Sequence, residues 1–265
     1  MKKNENIKAI FIDLDWTLID HRKGKPKFDK KSFRGLKKAQ QRGVKVIYCT
    51  ARPYHSVFQV GALKIFKPDG LICCNGGMAS IDNKVIYQHT FKHEDLHAIA
   101  EVVLSNNLNM ECTECFDRFL IAPENDIVKD CFSTYYEVMP EVKDYKNKDI
   151  ISILLFSREE SDEKIRKELP KGITFWRFHR SGVDVFSTPH EKGTGVVKAL
   201  EYLKLFKDNC IAFGDDIGDI SMFKEVGIGV AMKNGKDKTK GASSYVTKEV
   251  WKHGVYHGLK HFKII

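Results

Sequence analysis

The chain has 265 residues, 42% of them hydrophobic and 30% charged, which is enough for a substantial core in one large domain or two modest ones. Its longest apolar runs, such as 9–12 and 150–156, fall far short of the roughly 20 residues of a membrane-spanning helix, and Met1 to Asn6 leads into a strand-like run without a signal-peptide core, so a cytoplasmic protein with no membrane partner is expected. The net charge of +9, from 44 basic against 35 acidic residues, is compatible with nucleic acid, an anionic surface or a phosphorylated substrate, and more commonly marks a solvated face; no alternation of aromatic and basic residues of the RNA-binding type appears, and nucleic acid is not expected as a partner.

In chain order, Ile7 to Ile12 and Val44 to Thr50 read as buried strands and Asp69 to Cys74 as a third, because each is a short apolar or β-branched run. Between them, Ser32 to Arg42 reads as a helix ended by Gly43, and Pro53 to Phe66 as a second helix with proline at its first position. Strand and helix alternating in this way predict a parallel sheet with right-handed crossovers. The stretch 81–186 has another rhythm. Leu96, Ile99, Ala100, Val103 and Leu104 mark one face of a helix, followed by strand-like Asn109 to Cys115 and Phe119 to Ala122. Ile150 to Phe156, a helix from Glu159 to Leu169, Thr174 to Phe178 and Val183 to Phe186 repeat the scheme, as expected of an inserted α+β domain. Thr188-x-x-Glu191 then reads as a capping box for a helix Gly193 to Phe206. Cys210 to Phe213, a short helix Ile220 to Glu225, Ile228 to Met232 and Tyr245 to Thr247 return to the first grammar. The expected fold is therefore α/β, a Rossmann-like parallel-sheet core from 1–80 and 187–265 with 81–186 inserted, and hinges near Gly76-Gly77 and Ser187-Thr188-Pro189.

Seven cysteines, an odd number at scattered positions, suit a reducing compartment. Cys112 and Cys115 form a CxxC with no companion motif, and they read as ordinary thiols before a redox or metal pair. His253, His257 and His261 share a helical spacing and read as solvated residues of a terminal helix face.

The sharpest chemical signal is Asp13-Leu14-Asp15-Trp16-Thr17-Leu18, set directly after the first strand. In an open parallel sheet, ligands bind beyond the carboxyl ends of strands, although two acids this close are also compatible with a solvated turn. Other strand ends add complementary groups. Thr50 precedes Ala51-Arg52-Pro53, and the later strand runs into Gly214-Asp215-Asp216-Ile217-Gly218-Asp219. Carboxylates from separate strand ends suit a hard cation, and Lys192 at a helix start adds positive charge where helix N-termini already favour anions.

These residues resemble the haloacid dehalogenase superfamily, and within it the Cof-like hydrolases of type IIB with a C2 cap. DLDWTL at 13–18, TARP at 50–53, EKGTGV at 191–196 and GDDIGDISMF at 214–223 carry the resemblance, with VAMKNG at 230–235 and YVT at 245–247 behind them. The resemblance implies a magnesium-dependent phosphatase acting on a small phosphorylated metabolite, a sugar phosphate first, with 81–186 as the cap that sets specificity. It implies Asp13 as nucleophile and metal ligand, and Asp15 as the acid and base that also offers its carbonyl to the metal. Asp215 would be the second carboxylate ligand, with Asp219 ordering metal-bound water or Lys192. Thr50, Lys192 and the amides of Leu14 and Ala51 would hold the phosphoryl oxygens, and Thr17 would support the loop. An acid serving both half-reactions is expected to have a raised pKa. Trp16 and Gly218 depart from the family pattern, where glycine and asparagine are usual. A phosphotransferase or mutase on the same scaffold, or a non-catalytic binding protein of this fold, stays open as an alternative, and the expected assembly is a monomer or weak homodimer.

Overall fold

Ala9, Ile10, Phe11 and Ile12 offer no polar side chain to water, so the strand they form is stable only with both faces covered, and all four are fully buried. The computed structural model describes residues 6–135, 138–187 and 191–265. The chain divides into two compact units, Met1–Arg52 with Val60–Tyr87 and Glu191–Ile265, and Pro53–Gln59 with Gln88–His190.

In the first unit the sheet order is Tyr245–Val246, Ile228–Ala231, Cys210–Gly214, Ala9–Ile12, Lys45–Cys49, Gly70–Cys73, Met78–Ile81, Lys84–Gln88. Pairing is parallel from Tyr245–Val246 to Gly70–Cys73 and turns antiparallel at Met78–Ile81. The register sets Ile12 opposite both Phe213 and Tyr48. The carboxyl ends of these three strands therefore lie side by side, and whatever follows them shares one edge.

Helix Lys30–Gln41 is capped by Asp29, whose side chain accepts from the N–H groups of Lys31 and Ser32. The single helix expected over 53–66 is instead two, Tyr54–Gln59 and Ala62–Ile65, separated by a left-handed Gly61. Helix Lys192–Leu203 stops at a left-handed Lys204, three residues short of the expected end at Phe206, and Thr188 of the expected capping box lies outside the described residues, as does Pro189 of the second expected hinge. His253 of the C-terminal stretch is not merely solvated, since its Nδ1 lies 2.7 Å from Asp29 Oδ1, and His261 stacks on Tyr245 at 4.1 Å between ring centroids.

The hairpin Met78–Ile81 and Lys84–Gln88 extends the first unit's sheet, so that unit continues past residue 80 as far as Tyr87. The second unit carries an antiparallel sheet in the order Ile173–His179, Gly182–Ser187, Ser152–Phe156, Asn109–Thr113, Arg118–Leu120. One face packs with helices His93–Ser105 and Asp162–Glu168 through Leu96, Ile99, Val103 and Ile165. The other receives helix Asp126–Tyr135 through Val128, Cys131 and Phe132. That helix was not anticipated. Its signals were present in Asn125, whose side chain accepts from the N–H groups of Ile127 and Val128, and in the apolar spacing of Val128, Cys131 and Phe132. All seven cysteines are free. Among the described residues no helix is long and apolar enough to cross a membrane.

Candidate active site

The aligned strand ends place the first loop carboxylate, Asp13, where its N–H donates to Phe213 O at 3.0 Å. Lys192, the first residue of its helix, reaches across from the other end of the chain. Its Nζ donates to Asp13 Oδ1 and to Asp219 Oδ1, each at 2.6 Å. All three side chains are buried, at 6%, 5% and 0% exposure for Asp13, Lys192 and Asp219. Burial disfavours the Lys192 ammonium, but the charges of Asp13 and Asp219 outweigh it and hold the lysine protonated far above its ordinary range. Burial pushes the Asp13 carboxyl up, against the pull of Lys192 and together with the repulsion of Asp219, Asp215 and Asp15.

Asp219 is the floor of the loop that begins at Gly214. Its Oδ2 accepts from the N–H groups of Asp215 at 2.8 Å and Asp216 at 2.9 Å. Only glycine fits at 214, because a Cβ there would lie 2.4 Å from the Asp219 carboxyl carbon. Thr17 Oγ1 donates to Asp215 Oδ1 at 3.0 Å, tying the first loop to the last. Burial, then repulsion from Asp219, pushes the Asp215 carboxyl up to about 7 in spite of that bond and of Lys192.

Carboxylate oxygens of Asp13, Asp215 and Asp219 lie within 4.8 Å of one another. Both oxygens of Asp219 are engaged by Lys192 and the loop amides. Asp13 and Asp215 each keep one oxygen without a hydrogen-bond donor among the described residues. A set of buried, mutually repelling oxygen donors fits a hard divalent cation such as magnesium.

Asp15 faces a different set of partners. Arg52 grips it with Nε at 2.7 Å and a terminal nitrogen at 2.9 Å, and His21 Nε2 lies 2.6 Å from Oδ1. Burial would raise this carboxyl, but the His21 hydrogen bond and then the Arg52 charge outweigh it and hold Asp15 well below the usual carboxylate range. The raised pKa expected from a two-step acid and base is therefore absent in this arrangement, because a fork of positive charge stabilises the anion. Neither Arg52 nor His21 was singled out by sequence. Arg52 stood inside a quoted motif, and that was the available signal.

Directly after Asp15, Trp16 adopts φ +60°, a conformation that bulky side chains rarely take. Its N–H donates to Ile19 O at 2.8 Å, and its carbonyl accepts from Asn234 Nδ2 at 2.9 Å. The ring is 38% exposed and sits 5.5 Å from the His21 ring. Thr50 Oγ1 accepts from Arg52 N–H at 3.1 Å, which leaves its own proton free to donate outward. The N–H groups of Leu14 and Ala51 have no acceptor among the described residues. Two open amides, a hydroxyl and a buried ammonium at one sheet edge make a receptor for an oxyanion.

A family model described as haloacid dehalogenase-like hydrolase matches residues 10–259. The 5-amino-6-(5-phospho-D-ribitylamino)uracil phosphatase YcsE of Bacillus subtilis (strain 168) is 27% identical, over 98% of this chain and 98% of its own length. Among solved structures, a protein of Geobacillus kaustophilus HTA426 superposes with a TM-score of 0.89 at 27% identity, covering 98% of this chain and 100% of that one. The subclass IIB sugar phosphatase BT4131 superposes with a TM-score of 0.78 at 26% identity, covering 97% of this chain and 100% of that one.

Proposed function

The chain belongs to the haloacid dehalogenase-like hydrolases and is a phosphatase of that family, and on that premise we propose that it hydrolyses a small phosphate monoester, a sugar or alditol phosphate first, by way of a phosphoryl group carried on Asp13. The observation that supports this reading most directly is Lys192, a buried ammonium 2.6 Å from the Asp13 carboxylate. A carboxylate is a poor nucleophile toward an anionic phosphate, and fixed positive charge at the point of attack is what such a reaction requires.

In the first half-reaction an Asp13 oxygen forms a bond to phosphorus as the bond to the ester oxygen breaks, and the departing alkoxide takes a proton from Asp15, which carries one only once Arg52 and His21 have released its carboxylate. In the second, water attacks the aspartyl phosphate, gives its proton to Asp15, and inorganic phosphate leaves with Asp13 restored. Thr50, Lys192 and the amides of Leu14 and Ala51 hold the phosphoryl oxygens. Thr17 orients Asp215, and Asp219 orients Lys192 and the loop beneath it. A magnesium ion held by the open oxygens of Asp13 and Asp215 and the main-chain carbonyl of Asp15 would supply the remaining charge neutralisation.

Phosphate release by the purified protein from aldose and alditol phosphates and from 5-amino-6-(5-phospho-D-ribitylamino)uracil, with magnesium and with excess EDTA, tests the proposal. Release in magnesium that stops in EDTA is the expected result. Undiminished turnover in EDTA, or transfer to a second sugar in place of water, would overturn it.

A further inference from the structure

After the strand Gly70–Cys73 the chain makes a turn that local preference does not explain. Cys74 and Asn75 both adopt left-handed conformations, at φ +51° and +53°, followed by Gly76 at +96°. Consecutive left-handed residues with side chains are disfavoured and persist only when their surroundings hold them. Here Cys74 N–H donates to Arg52 O and Asn75 N–H to Thr50 O, both at 3.1 Å, so the turn is fastened to the loop that carries Thr50. It also lies against the helix that opens with Lys192, since a Cβ on Gly76 would fall 2.0 Å from the carbonyl oxygen of Glu191.

The Asn75 side chain borders the loop of Asp215 as well. A Cβ built on Gly218 meets one atom within 4 Å, Asn75 Oδ1 at 3.8 Å. Half-buried among loops bearing Thr50, Lys192 and Asp215, the Asn75 amide has no hydrogen-bond partner among the described residues. In the same loops the side chains of Lys192, Thr17 and Asp219 are engaged with partners of their own. A half-buried amide without a protein partner, held at that place by a left-handed turn, is free to donate to a ligand.

We propose that Asn75 is a substrate-binding residue whose side-chain N–H group donates to a phosphoryl oxygen, filling space that Gly218 leaves open. This rests on the phosphatase reading of the site. The carbonyl branch of the amide faces Gly218, and the NH2 branch is the donor. The interaction is made with the phosphoryl group common to every substrate, so it acts on all monoesters alike rather than choosing among alcohols.

Wild-type hydrolysis of p-nitrophenyl phosphate with magnesium is measured first, so a failure of the phosphatase reading shows there and a failure of the Asn75 role shows in the variants. Asn75→Gly keeps a residue suited to the left-handed turn and should melt at or above the wild-type temperature. Its KM, and its Kd for inorganic phosphate by calorimetry, should rise about ten-fold or more, the effect of losing one hydrogen bond to a charged oxygen, with kcat little changed. Adding Gly218→Asn, which sets an amide across the same gap, should bring both constants back toward wild type. Unchanged KM and Kd in Asn75→Gly would overturn the proposal. So would a rise that accompanies a lowered melting temperature and is not repaired by Gly218→Asn.

Discussion

Asp13 and Asp15 point from one loop toward opposite electrostatic surroundings. Asp13 shares a buried ammonium with Asp219, while Asp15 is clasped by a guanidinium and an imidazole. Their roles should separate under isosteric substitution. On the proposed mechanism Asp13→Asn removes the attacking charge, and no phosphoenzyme should form. Asp15→Asn removes the proposed proton carrier and leaves the proposed nucleophile intact. With an aryl phosphate, whose leaving group needs little protonation, this variant should accumulate phosphorylated protein because water is no longer activated. Intact-protein mass spectrometry after rapid quenching reads both outcomes, and an adduct of equal size on Asp13→Asn would remove Asp13 as nucleophile. The two carboxylates were legible in sequence because a motif of six residues holds them. Arg52 was not, since its meaning lies in a contact 37 positions back along the chain, and Asn75 has meaning only through a turn folded against three other loops.

The strand Gly182–Ser187 alternates in the manner of a sheet covered on one side, with Val183 and Val185 in the core of the second unit. Asp184 faces the other way, between Leu154 and Trp176 on the neighbouring strands, and burial alone pushes its carboxyl up to about 7. A carboxyl raised in the folded state binds its proton more tightly there than in the unfolded chain. Its favourable contribution is therefore complete below about pH 4, the unfolded value, and is lost as pH rises through the folded value. Asp184→Asn keeps the shape without the charge. Its melting temperature should match wild type near pH 4 and exceed it at pH 8 by about 2–6 °C, corresponding to about 1–2 kcal/mol for a half-buried group. Equal temperatures at pH 8, measured by circular dichroism, would show that Asp184 ionises freely. At this scale most strands were found by their apolar runs to within a few residues, whereas the hairpin Met78–Ile81 and Lys84–Gln88, the short strands Ile19–Asp20 and Lys27–Phe28, the helix Asp126–Tyr135 and the break at Gly61 escaped, because short elements leave little periodicity to read.

The first unit is assembled from both ends of the chain. Ala9–Ile12, at the middle of its sheet, has Lys45–Cys49 on one side and Cys210–Gly214 on the other. A chain ending at residue 190 would expose one apolar edge of that strand and remove Lys192, Asp215 and Asp219 together. Such a fragment should aggregate or bind a hydrophobic dye on refolding, as unpaired edges of buried strands do. A fragment that stayed monomeric with native-like hydrogen exchange at Ile10 and Phe11 would mean that the sheet closes without its C-terminal half.

The order of apolar strands, helices and acidic loop motifs was determined by sequence alone, because burial on both faces of a parallel strand demands continuous apolar residues and because strand ends collect the chemistry. Tertiary structure decided which charge meets which. It set Lys192 against Asp13 across 179 positions, held Asp15 as a carboxylate through Arg52 and His21, and brought the Asn75 turn to the loops of Thr50, Glu191 and Gly218. Periodicity encodes which face of an element is buried, but the partners of a loop side chain depend on register and on contacts between distant segments, and no local pattern records those.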